Sequence, residues 1–131
     1  MAVTVEHLVA SARSRISEIS LETLIAWRVR VPALNVVDVR EPDEFAHGHL
    51  PGAVNLPRGV LEFRIHAHMA AVCTTGTALT GSTAPLVLYC LSGGRSALAA
   101  ASLQKLGFDS VRSLAAGFNA WCNAGLPVVE E

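Results

Sequence analysis

An apolar run ends in a cysteine that is followed at once by a glycine-containing turn and an arginine: Leu86-Val-Leu-Tyr-Cys90-Leu-Ser-Gly-Gly-Arg95-Ser96. In an open α/β sheet, ligands bind at the carboxyl ends of the strands, which puts Cys90 where chemistry is done. A helix opening near Arg95 would aim its first-turn peptide N–H groups, with those of Leu91 and Ser92, at the sulfur. Such surroundings favour a thiolate over a thiol. Gly93 and Gly94 let the backbone curl round the sulfur with no Cβ in the way, and Arg95 adds a permanent charge suited to an anionic substrate. The pattern serves nucleophilic attack by a presented, cradled thiolate. For an arbitrary cysteine, burial as a small hydrophobe is the commoner fate; the strand-end placement and the Ser-Gly-Gly-Arg-Ser that follows favour function.

Those residues need a scaffold, and the chain spells out an alternation of short β-type runs and helical stripes. Strands are expected at Leu34 to Val39, Ala53 to Leu56, Leu86 to Tyr89 and Val111 to Leu114, with a weaker one at Ile16 to Ile19. The unbroken apolar run at 86–89 suits a strand covered on both faces. Helices are expected after Thr4 (Val5, Leu8, Val9, Ala12), from Ser20 through Arg28, along Leu61, Ile65, Met69 and Val72, from Arg95 to Leu106, and from Phe118 to Ala124. Thr4 and Ser20 stand as N-caps, and Gly107 and Gly125 as terminators. Strand, helix and strand from Leu86 through Leu114 form a βαβ unit, which requires parallel strands and a right-handed crossover. Residues 74 to 84, rich in Thr, Gly and Ser, read as a surface loop.

Composition limits what this fold can serve. The 131 residues leave room for one domain, here divided into an N-terminal helical extension (1–15) and the main domain (16–131). A 51% hydrophobic and 16% charged content excludes a disordered chain. Ten basic against eleven acidic residues leave a net charge of −1, with no electrostatic footprint for nucleic acid. No apolar run approaches a bilayer span, and the charged first twenty residues do not form a signal peptide. The three cysteines, 73, 90 and 122, cannot all pair and form no C-x-x-C, so a reduced, cytoplasmic protein is expected.

Four blocks then stand in order: Asp38-Val-Arg-Glu-Pro-Asp-Glu-Phe45, Gly48-His-Leu-Pro-Gly-Ala-Val-Asn-Leu-Pro57, Cys90-x-x-Gly-x-Arg-Ser96, and Leu114-Ala-Ala-Gly-Phe-Asn-Ala-Trp121 with Gly125-Leu-Pro127. Together, over residues 16 to 129, they resemble a single-domain rhodanese. The resemblance implies an α/β domain with a mostly parallel five-stranded sheet and helices on both faces. It also implies sulfur transfer: the loop cysteine takes the outer sulfur of a donor such as thiosulfate, holds it as a persulfide against the loop amides, and passes it to cyanide or a thiol. No metal or organic cofactor is implied. The partners are a small anionic sulfur donor and a thiol or cyanide acceptor, or a protein sulfur acceptor, with the chain a monomer or homodimer.

Within that resemblance Cys90 is the catalytic residue, and Leu91, Ser92, Gly93, Gly94, Arg95 and Ser96 bind the substrate. Arg58 lies in a loop that the family places near the active site, where it would hold an anionic donor or stay solvated. Asp38 and Arg40 are implied to form a structural pair, and Glu44 reads as an exposed helix residue. Two departures stand out. Leu91 occupies the position beside the nucleophile where many thiosulfate-specific members have a basic residue, which opens the way to a persulfide or protein donor. Ala116 replaces a frequent Gly before Gly117, read as a small packing change. Other classes are a non-catalytic rhodanese-like binding or regulatory module, and a phosphatase or arsenate reductase. The latter carry five residues between Cys and Arg, whereas Cys90 and Arg95 enclose four, a tighter ring suited to one sulfur. His47 and His49 are expected to bond to backbone, His66 and His68 to form no metal site, and Cys73 and Cys122 to be structural.

Overall fold

The computed structural model describes residues 3–32, 34–72 and 85–130; Cys73, the 74–84 segment and the side chain of Val72 lie outside the described residues. Five strands, β1 (Glu18–Ile19), β2 (Asn35–Asp38), β3 (Val54–Asn55), β4 (Leu86–Tyr89) and β5 (Val111–Leu114), form one sheet in the order β1-β5-β4-β2-β3. Every strand pairing is parallel; an isolated antiparallel bridge, His49 with Val129, lies outside the strands. The sheet is built on its central strand: β4 pairs residue for residue with β2 from Asn35↔Leu86 to Asp38↔Tyr89 and with β5 from Leu86↔Val111.

Alternation along the strands divides the core in two. Val37, Val39, Leu86, Leu88, Cys90 and Val111 face a layer made by α4 (Leu61–Val72) and α5 (Gly94–Lys105), whose Leu61, Ile65, Met69, Ala99, Ala100 and Leu103 are buried. Val36, Val87, Tyr89 and Leu114 face α2 (Leu21–Arg30) and α6 (Gly117–Asn123), through Leu24 and Trp121. A strand whose successive residues are all buried must be covered on both sides, and β4 is. The expected elements are present, with trimmed strand ends and with α2 extending to Arg30 rather than Arg28. Ser20 caps α2 by accepting from Thr23 N at 3.1 Å, and Thr4 caps α1 (Val5–Arg13) by accepting from His7 N at 3.2 Å.

The stripe on α1 is only half used. Val9 and Ala12 pack on Ala97 and Ala101 of α5, small residues that let the two helices approach closely, while Val5 and Leu8 are exposed. Pro42–Ala46 forms the short helix α3, and Arg58–Val60 a single 3₁₀ turn. The chain runs from β2 toward one edge of the sheet at β3 but from β4 toward the other edge at β5, so the topology switches between β2 and β4. Their carboxyl ends carry Asp38-Val-Arg40 and Cys90, the position at which open α/β sheets bind ligands.

Candidate active site

Cys90 follows β4 directly, and its surroundings are fixed from three sides. The turn 91–93 folds back so that Gly93 N lies 3.1 Å and Ser96 N 3.4 Å from Sγ, both donating to it. The Cys90 thiol donates to Ser96 Oγ at 3.6 Å. Ser96 Oγ in turn donates to Gly93 O at 3.2 Å and shares a 2.8 Å hydrogen bond with Ser113 Oγ of β5. Both serines are fully buried. Gly93 makes the fold-back possible: its φ of +106° is left-handed, and a Cβ there would stand 3.3 Å from Ala116 N.

Of the six amides expected to ring the sulfur, those of Gly93 and Ser96 donate to it. Those of Leu91, Ser92, Gly94 and Arg95 have no acceptor among the described residues. Gly94 and Arg95 open α5, where the first-turn N–H groups have no partner within the helix. From the other side, α6 grips the loop: Phe118 N donates to Cys90 O at 2.8 Å and Asn119 N to Leu91 O at 3.0 Å. The expectation of a presented sulfur is corrected, because Cys90 is only 1% exposed. The loop closes over the sulfur, since its amides must approach to within hydrogen-bond distance to hold it.

The cations divide differently from the expectation. Arg95 directs both Nη atoms at Glu44, at 2.8 and 3.0 Å. Glu44 is therefore not a free surface residue but the anchor of the loop arginine. The Arg95 bond, helped by a bond from Glu41 N, outweighs partial burial and holds the Glu44 carboxyl down at about 2. A carboxyl depressed in this way contributes stability that is complete above its ordinary value near 4.5 and is lost as pH falls toward 2. The melting temperature of Glu44→Gln should therefore lie below that of the parent above pH 5, and the gap should close as pH is lowered to 2; a gap independent of pH would contradict the pairing.

Arg58 donates to both Glu62 carboxylate oxygens at 3.3 Å and to Ser102 Oγ at 3.1 Å. Ser102 lies six residues beyond Ser96 on α5, about 9 Å along the axis, so the Arg58 guanidinium is held on the flank of the helix, not over the cradle. Asp38 and Arg40 do form the buried pair: Arg40 N and Nε donate to Asp38 Oδ1 at 2.9 and 3.0 Å, and Nη2 reaches Oδ2 at 2.6 Å and Gly48 O at 2.7 Å. Burial pulls the Arg40 pKa down, but the Asp38 bond and charge outweigh it and leave it raised. The Arg40 guanidinium also lies 4.4 Å from the Phe118 ring centroid, tying the β2 end to α6. His47 and His49 bond to the carbonyls of Asp43 and Phe45 at 2.7 and 2.8 Å, as expected, while Cys122 is exposed instead of packed.

Ala116 is more than a packing change. Its φ of 58° places an alanine in the left-handed region at the start of α6, a conformation that costs an L-residue about 1 kcal/mol relative to glycine. Ala116→Gly should raise the melting temperature by about 4 °C, measured by thermal denaturation; an unchanged or lower value would contradict the strain.

Residues 21–124 match the Rhodanese-like domain family. The chain belongs to the rhodanese-like family. It is 31% identical over 111 residues to the chloroplastic thiosulfate sulfurtransferase 16 of Arabidopsis thaliana, spanning 82% of this chain and 90% of that protein. It is 32% identical over 114 residues to a sulfurtransferase of Allochromatium vinosum, spanning 87% and 95%. Among solved structures, the human single-domain sulfurtransferase TSTD1 superposes with a TM-score of 0.67 at 26% identity, over 81% of this chain and 95% of that one. A Rhodopseudomonas palustris protein of unknown function, described as a possible tyrosine phosphatase, superposes with a TM-score of 0.79 at 29% identity, over 98% and 96%. The rhodanese match begins at residue 21 and so leaves out α1.

Proposed function

We infer that this rhodanese-like domain is a sulfurtransferase that carries sulfane sulfur on Cys90. The observation that supports this best is the placement of the Gly93 and Ser96 amides on Sγ beside the unclaimed amides of Gly94 and Arg95. The first pair suits an attacking thiolate. The second pair is available to the terminal sulfur of a persulfide, an anion that first-turn amides stabilise.

With thiosulfate as donor, the thiolate attacks the sulfane sulfur and a new S–S bond forms at Cys90. The bond between sulfane and sulfonyl sulfur breaks, and its electron pair leaves on sulfite. A thiophilic acceptor such as cyanide then takes the terminal sulfur as thiocyanate and returns the thiolate. No proton is gained or lost by the cysteine across the cycle, so hydrogen-bond donors suffice where other nucleophilic enzymes need a general base. The four-residue spacing from Cys90 to Arg95 supports a one-sulfur cargo over a tetrahedral phosphate or arsenate, and an intact Cys90 with bonded amides supports catalysis over a purely binding role. A reduced compartment such as the cytoplasm suits the thiol chemistry; among the described residues no helix is long and apolar enough to cross a membrane.

Incubation with thiosulfate should add about 32 Da to the tryptic peptide containing Cys90, and cyanide should remove it with release of thiocyanate. A protein that gains no mass from thiosulfate or from an organic persulfide, or one that turns over an aryl phosphate through Cys90, would overturn this reading.

A further inference from the structure

The cradle is flanked by two concavities of different character. One, about 400 Å³, is lined by Arg40, Asp43, Glu44, His47, Leu91 and Phe118, with Gly48 beneath. Its two guanidinium neighbours, Arg40 and Arg95, are already bonded to Asp38 and Glu44, and Asp43 adds a carboxylate with no ion-pair partner among the described residues. It is a poor landing place for an anion. The other, about 510 Å³, lies between α1 and the loop, with Val5, Glu6, Val9 and Arg13 facing Ser92 and Gly94.

Arg13 differs from the other guanidinium groups around the loop. Arg95 spends both amino groups on Glu44, and Arg58 spends its own on Glu62 and Ser102. Arg13 is held by Nε alone, which donates to Glu18 Oε2 of β1 at 3.2 Å. Both its Nη atoms are without an acceptor among the described residues, and the side chain is 43% exposed. Gripped at Nε, the fork points its amino edge at the loop: Nη2 lies 3.1 Å from where a Cβ on Gly93 would stand. Gly93 is the residue whose amide donates to Sγ at 3.1 Å. A single residue of backbone therefore separates a free guanidinium edge from the nucleophile.

The helix that carries Arg13 is not loosely attached. Ala12, fully buried, packs on Ala97 and Ala101 of α5, the helix that opens at the cradle, so the last turn of α1 is registered against the loop. Glu6, the acidic residue in the same concavity, lies seven residues from Arg13, about 10 Å along the helix, so the carboxylate that meets Arg13 is that of Glu18, at Nε, and both Nη atoms stay open to a second acceptor.

We propose that Arg13 is a specificity-determining residue: its free amino edge binds the oxyanion end of the sulfur donor and sets the sulfane sulfur over Cys90. This rests on the sulfur-transfer reading above and names the substrate class, small donors that carry an oxyanion beside the transferable sulfur, thiosulfate being the simplest. It makes α1 a wall of the donor site. It also supplies, from another element, the positive charge missing at Leu91.

Two measurements test the assignment. In steady-state assays, Arg13→Gln should lower kcat/KM for thiosulfate by about 10- to 100-fold, the loss expected for one charge-assisted hydrogen-bonded contact. Discharge of preloaded, desalted persulfide by cyanide should keep the parent rate constant, because the sulfite group has already left. Arg13→Lys should recover part of the loss. An unchanged kcat/KM for thiosulfate, or an equal loss in both half-reactions, would overturn the proposal. Binding of thiosulfate to Cys90→Ser protein, followed by calorimetry with and without Arg13→Gln, does not depend on turnover. Weaker binding in the double variant supports the site even if Cys90 never gains mass; absent binding or equal binding overturns it.

Discussion

Cys90→Ser is expected to reduce sulfur transfer to the rate of the buffer reaction and to abolish the mass gain, while the protein stays folded. Both halves of that outcome follow from the same contacts. A serine hydroxyl fits the volume of the thiol and can accept from Gly93 N and Ser96 N, the groups that now donate to Sγ. The buried amides keep a partner, so the change in stability should stay within about 1 kcal/mol. The alkoxide needed for attack on sulfur is out of reach at neutral pH with no general base in contact: the hydroxyl that meets Sγ, Ser96 Oγ, is bonded to Ser113 Oγ and to Gly93 O. Retained transfer in a folded Cys90→Ser protein would place the nucleophile elsewhere and remove the sulfur-carrying role from this loop. Cys122, the exposed thiol among the described residues, is the control: Cys122→Ser should leave the persulfide mass gain intact.

The cradle was legible in the sequence because its parts are close along the chain. Strand 86–89, the glycine turn and the opening of α5 lie within eleven residues, and a thiol, its amides and its hydroxyl partner Ser96 all come from that stretch. Local patterning reports such geometry directly: an apolar run for a central strand, glycines for a fold-back. The sheet was legible for a related reason, since βαβ connections allow few alternatives.

What was missed lies at long range. The Glu44–Arg95 pair joins residues 51 positions apart, and nothing in Glu41-Pro-Asp-Glu44 taken alone distinguishes a capping carboxylate from one that also receives a guanidinium. Ser113 offered a weak signal, a hydroxyl at an inward-facing position of a buried strand, which must find a partner; its partner is Ser96. The hold of α6 on the loop, through Phe118 N to Cys90 O and Asn119 N to Leu91 O, was out of reach because it joins residues nearly thirty positions apart. Arg13 carries no local signal, because the small side chains of α5 that pack on α1 are what bring it beside Gly93.

The second large effect concerns that register. Gly117→Ala is expected to destabilise the protein by roughly 2–4 kcal/mol and to cost about 100-fold in transfer rate. Gly117 has φ +45°, but backbone strain is the smaller part, since Ala116 beside it already tolerates φ 58°. The larger part is contact. A Cβ on Gly117 would overlap the carbonyl oxygen of Cys90 and stand 3.0 Å from both Cys90 C and Leu91 O, backbone atoms that cannot rotate away. To relieve it, α6 must withdraw from the loop, breaking the bonds from Phe118 N to Cys90 O and from Asn119 N to Leu91 O. The nucleophile's own peptide group would then lose its tether, and a shift of about 1 Å at Sγ is enough for the stated loss in rate. Gly125→Ala separates the two contributions. Gly125 has φ +71° with nothing within 4 Å of an added Cβ, so it carries strain without collision and should cost about 1 kcal/mol with transfer unchanged. Equal losses in the two variants, measured by denaturant unfolding and by thiocyanate release, would show that contact between α6 and the loop does not set the geometry of the sulfur.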